Sequence, residues 1–150
     1  MARTAGKRLA LPVGVTKLLL VDDEKNVLAG LDRYFRVAGF QVDCAREREE
    51  AEAMLADGGY DAVLVDLSLT TGHGPDGLGV VQVARDFCPR ARIVVLTALG
   101  SAVVQQEAYR LGADVFLQKP RPLEEIRGAL EGWSATGPRP CGGDGVSPQQ

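Results

Sequence analysis

With 150 residues the chain is long enough for one domain with a full hydrophobic core and short for two. A 45% hydrophobic and 25% charged composition argues against a disordered or membrane class. A net charge of −3, with Lys and Arg dispersed, argues against direct nucleic-acid binding.

The N-terminal stretch MARTAGKRLALPVGV is basic, but its apolar run is interrupted by Pro12 and Gly14, so it reads as a poor signal peptide and no membrane span. Residues 1–14 are expected to be flexible. The cysteines Cys44, Cys88 and Cys141 lack CxxC spacing and suggest neither a disulfide framework nor a zinc site. Reduced thiols in a cytoplasmic protein are the expectation.

From there one grammar repeats five times: a short apolar run, then a longer helical pattern. The first run, Lys17–Val21, ends in Asp22 and Asp23 within LLLVDDE. Adjacent carboxylates at a strand end have a structural explanation, since Asp is a common turn residue. They also have a chemical one, as a seat for a hard divalent cation. The helix after them should bury Val27, Leu28, Leu31, Tyr34, Phe35 and Ala38, and Gly39 suits its C-cap.

A second strand is predicted over 40–44, followed by a charged helix over 46–57 with Ala51, Met54 and Leu55 as its apolar stripe. Its Glu/Arg run at 46–52 reads as a solvated face. Gly58 and Gly59 stop that helix. The third strand, 62–65, runs into Asp66 and the Gly-rich loop LSLTTGHGPDG. A helix over 78–87 should turn Val80, Val81, Ala84 and Phe87 inward.

The fourth strand, 92–96, ends at Thr97, and a helix over 102–111 is closed by Gly112. The fifth, 115–117, leads to Lys119-Pro120, and the last helix should bury Leu123, Ile126, Leu130 and Trp133. Strands one, three and four are apolar almost throughout, as central parallel strands covered on both faces are. The expected architecture is a doubly wound α/β sheet over residues 15–134, with a flexible Gly/Pro-rich tail at 135–150.

Ligands of such sheets bind beyond the carboxyl ends of the strands. Those ends carry Asp22, Asp23, Asp66, Thr97 and Lys119. Neighbouring carboxylates are hard to ionise together, and a Mg²⁺ ion relieves the repulsion. With Asp66 as nucleophile, Lys119 and Thr97 could stabilise the oxygens of an incoming phosphoryl group.

The motifs LLLVDDE, VLVDLSL, IVVLTA and FLQKP, in this order, resemble those of a response-regulator receiver domain of bacterial two-component signalling, over about 120 residues. The resemblance implies a five-stranded sheet in the order 2-1-3-4-5. It implies that Asp66 accepts a phosphoryl group from a histidine on a sensor kinase or phosphotransfer protein. Asp23 and Asp66 would bind Mg²⁺ directly, Asp22 through water, and the Ser68 carbonyl would complete the protein ligands. Thr97 and Lys119 would contact the phosphoryl group, and the Lys119–Pro120 bond would be cis. Phe116 matches the aromatic switch position, which acts on the face of helix four, strand five and helix five. It could equally be a core aromatic. The resemblance also implies a downstream protein partner, and a homodimer is allowed because receiver pairs often associate through that face.

The chain departs from the family at Thr70, where a Pro is common, and at Asp76-Gly77, which comes late. TTGHGP is therefore a short insertion, either a neutral surface loop or a feature that changes partner docking. His73 within it reads as a solvated loop residue rather than a ligand or relay group. Leu99 offers no hydrogen-bonding group to orient an attacking water, so a long-lived phosphorylated form is expected. The competing class is a receiver-shaped interaction module that does no phosphotransfer. In either class the chain is a signalling or binding module rather than an enzyme, either standing alone or as the receiver part of a longer regulator.

Overall fold

The computed structural model describes residues 16–67, 76–98 and 101–136, with side chains except at 76 and 132–136. Ser68, Thr70, His73, Leu99, Cys141, the expected flexible segment 1–14 and residues 137–150 of the expected tail lie outside them, as does the Trp133 side chain; residues 135 and 136, expected in the tail, belong to the last helix.

Elements alternate as the sequence predicts: β1 Lys17–Val21, α1 Lys25–Val37, β2 Gln41–Ala45, α2 Arg48–Asp57, β3 Ala62–Asp66, α3 Asp76–Phe87, β4 Arg92–Thr97, α4 Ala102–Leu111, β5 Val115–Gln118 and α5 Leu123–Thr136. All strand pairs are parallel, in the order β2-β1-β3-β4-β5. The three apolar strands β1, β3 and β4 lie inside the sheet, where both faces need cover. The strands β2 and β5 form its edges and are less buried.

Successive strand residues point to opposite faces, so each central strand feeds two cores. Leu18, Leu20, Leu64, Val94 and Leu96 pack with α1 through Leu28, Leu31 and Phe35, and with α5 through Ile126 and Leu130. Leu19, Val63, Val65, Ile93 and Val95 pack with α2, α3 and α4 through Leu55, Val81 and Ala108. Phe35 is fully buried and meets Phe40 edge-on at 5.0 Å.

Several sequence expectations need correction. Phe87 does not turn inward: it is 52% exposed, and Cys88, one residue past the end of α3, takes the buried place. Val27 and Leu123 are also on the surface, because each stands in its helix's first turn, outside the stripe that meets the sheet. Helix α3 begins at Asp76 rather than 78, and Gly77 lets it approach Leu67: a Cβ there would lie 2.2 Å from Leu67 Cδ2.

The entry to β5 is tied down by one side chain. Arg85 donates to the carbonyls of Pro89, Ala91 and Gly112 and pairs with Asp114 at 2.8 Å. Asp114 in turn accepts from the Ile93 amide at 2.8 Å, joining α3, β4 and the α4–β5 turn. At that turn Gly112 has φ +124°, a conformation that suits glycine.

Candidate functional site

Each site residue is placed by the end of a strand. Asp22 follows β1, its amide donating to the Ala45 carbonyl at 3.1 Å, so the ladder with β2 holds its backbone. Its carboxyl group is buried. Oδ1 accepts from the Glu24 amide at 2.8 Å, whereas Oδ2 has no partner. Asp66 closes β3, with its side chain 5% exposed. Lys119 Nζ donates to Asp66 Oδ2 at 2.5 Å, and Asp66 Oδ1 is buried without a partner.

Burial, and then the neighbouring Asp66 carboxyl, push the Asp22 carboxyl up to about 7, against the pull of the Glu24 amide. Near neutral pH the Asp22 carboxyl can therefore carry a proton.

Thr97 ends β4 and is 1% exposed. Its carbonyl accepts from the Lys119 amide at 2.7 Å, which fixes where Lys119 departs from β5. The Lys119–Pro120 peptide bond is cis, as expected. Asp23 is partly exposed and lines, with Asp22 and Asp66, a cavity of about 550 Å³. Phe116 on β5 is half-buried against the α2–α4 core, with its ring centroid 6.4 Å from that of the 44% exposed Tyr109.

Sequence reasoning missed part of this cavity. Arg46, Glu47, Arg48, Glu49 and Glu50 are exposed, as the solvated-face reading expects, and they also line it. The signal was available: they come directly after the carboxyl end of β2, the same sheet edge that carries Asp22 and Asp66.

Among the described residues no three His, Cys, Asp or Glu side chains are gathered into a metal cage. Mg²⁺ does not need one, since it commonly keeps several waters and uses one or two carboxylates. The partnerless Asp22 Oδ2 and Asp66 Oδ1 are the hard oxygen donors such an ion takes, so the residues present fit it. Ser68, the expected carbonyl ligand, lies outside the described residues.

A family model described as "Response regulator receiver domain" matches residues 18–131. The chain belongs to this family. As a receiver domain it is 36% identical over 113 residues to the photosynthetic apparatus regulatory protein RegA of Rhodobacter capsulatus, covering 75% of this chain and 60% of RegA. It is 32% identical to the transcriptional regulatory protein QseB of Escherichia coli O157:H7, covering 77% of this chain and 51% of QseB. The chain thus spans about half to three-fifths of these two relatives.

Among solved structures, a response regulator from Burkholderia pseudomallei aligns with TM-score 0.70 and 29% identity, covering 81% of this chain and 69% of that one. That protein carries a phosphorylated aspartic acid, a calcium ion and citrate. A CheY-like receiver domain from Methanospirillum hungatei also aligns at TM-score 0.70, covering 82% of this chain and 99% of its own; at 22% identity it supports the receiver fold alone. Among the described residues no helix is long and apolar enough to cross a membrane.

Proposed function

We propose that this receiver accepts a phosphoryl group on Asp66 from a phosphohistidine of a sensor kinase or phosphotransfer protein, with Mg²⁺, and thereby alters a face that docks a downstream protein. The observation that carries the reading is the Asp66 carboxylate. It is buried, one oxygen is held by Lys119, and the other lies partnerless beside an equally partnerless oxygen of Asp22. A structural ion pair alone gives no reason for the second carboxyl group.

In this reading Asp66 attacks phosphorus, and the leaving histidine nitrogen takes the bonding electron pair. Lys119, paired with Asp66 before transfer, turns to an equatorial phosphoryl oxygen, with the Thr97 hydroxyl on another. Bound Mg²⁺ supplies charge neutralisation at the phosphoryl oxygens. Asp22, Asp23 and Asp66 would hold it by their side chains, Asp22 through water, and Ser68, outside the described residues, would add its carbonyl. The half-buried Phe116 ring, packed toward Tyr109, is the switch side chain, and the exposed Val103 and Tyr109 of α4 belong to the responding face. A downstream protein or a second copy of the chain docks there. The dispersed charge makes direct nucleic-acid contact by this domain a poor fit.

The test is intact mass after incubation with Mg²⁺ and acetyl phosphate, for the wild-type chain and for Asp66→Asn. A Mg²⁺-dependent phosphoryl adduct on the wild type alone supports the reading. No adduct on either, with no Mg²⁺ binding, would leave a receiver-shaped interaction module.

A further inference from the structure

The charged run after β2 does not serve only as a solvated surface. Arg46, Glu47, Arg48, Glu49 and Glu50 form one wall of the cavity that holds Asp22, Asp23 and Asp66. All five are solvent-exposed, and side-chain contacts order the run. Glu50 Oε1 accepts from the Arg46 amide at 2.9 Å, turning the chain into α2. The Arg48 guanidinium lies over Gly79 of α3, where an added Cβ would stand 2.5 Å from Nη1, and its Nε pairs with Glu52. Six acidic residues and two arginines line the cavity. At its floor the buried Asp22 Oδ2 and Asp66 Oδ1 carry no partner.

We infer that this β2–α2 wall selects the phosphodonor: its carboxylates hold off small dianionic donors and favour a phosphohistidine presented on a basic protein surface. The inference rests on the phosphoacceptor reading of Asp66. A cavity of 550 Å³ is about 8 Å across, comparable to the screening length at physiological salt, so the wall's charges are felt at the acceptor. In the transfer an Asp66 oxygen–phosphorus bond forms as the donor's bond to phosphorus breaks. Acetyl phosphate then releases acetate, and the phosphoramidate monoanion, whose nitrogen already carries the proton, releases ammonia.

The experiment compares wild type with Glu47→Gln/Glu49→Gln in the full chain with Mg²⁺, following adduct formation by intact mass. Gln keeps the size of each side chain, and circular dichroism confirms the fold. Two charges removed at that distance should speed labelling by acetyl phosphate, a dianion, about fourfold at 0.15 M salt and about fifteenfold at 0.01 M. Phosphoramidate, largely a monoanion near neutral pH, should gain only about twofold at 0.15 M. The control Asp57→Asn/Asp86→Asn, at exposed positions outside both the cavity lining and the responding face, removes equal charge and should leave both rates unchanged. Rates that are equal in all three proteins, or that rise equally in the control, overturn the inference while the acceptor reading stands. No labelling of any protein by either donor overturns the acceptor reading and the inference with it.

Discussion

The buried pair of Asp22 and Asp66 makes a definite prediction for Asp22→Asn in metal-free protein. The Asp22 carboxyl rises from 3.8 to about 7 on folding, so between these values the folded chain holds a proton that the unfolded chain has released. Stability attributable to this group therefore falls as pH rises from about 4, and the loss is complete above about 7. Three pH units at about 1.4 kcal/mol each set a ceiling of about 4 kcal/mol. Asn keeps Oδ1 for the Glu24 amide, and its amide group can donate to Asp66 Oδ1, as the protonated carboxyl would. Urea unfolding in EDTA at pH 8 should find the variant more stable by about 2–4 kcal/mol. The gap should close steadily as the pH is lowered from 7 to 5. Saturating Mg²⁺ should stabilise the wild type more than the variant, narrowing or reversing the order. A variant no more stable than wild type at pH 8, or a gap that does not change with pH, would refute the reasoning.

Three further perturbations test the scaffold. Arg85→Met should lower stability by about 2–4 kcal/mol in urea unfolding, because it takes the ionic partner from the part-buried Asp114 carboxylate, leaving it the Ile93 amide, and removes the guanidinium from the Gly112 carbonyl. Gly112→Ala should cost about 1–3 kcal/mol by the same assay, since the residue has φ +124° and its new Cβ would lie 2.9 Å from Arg85 Cβ and Cγ. Phe35→Ala, at a fully buried position, should cost about 3–5 kcal/mol, seen as a marked drop in melting temperature.

The sheet and the residues at its strand ends were legible because both depend on local pattern. Apolar runs set β1, β3 and β4, and the first polar residue after each run is Asp22, Asp66 or Thr97. Lys119 is found just past β5 by the same logic. Phe87 was misread because three- and four-residue spacing continues past the point where a helix leaves the core; at the last residue of α3 the ring faces water. The run at residues 46–50 is exposed, as its charge density implies; that it also lines the cavity follows from its position at the sheet's carboxyl edge, which charge density alone does not carry. Arg85 gave no local signal at all. Its partners lie up to 29 residues away, and only the crossing of α3 over the α4–β5 turn brings them together.

The hydrogen-bonded ladder of the sheet runs on beneath the site. The amides of Asp22, Leu67 and Lys119 each donate to a neighbouring strand or its end, at 3.1, 2.8 and 2.7 Å. The floor therefore opens only when the sheet opens, and those three amides should exchange with solvent as slowly as core amides do. Whatever signal passes through this site must be carried by side chains and by the loops above that floor. A substitution deep in the sheet that loosens the ladder would silence the domain without touching a functional group.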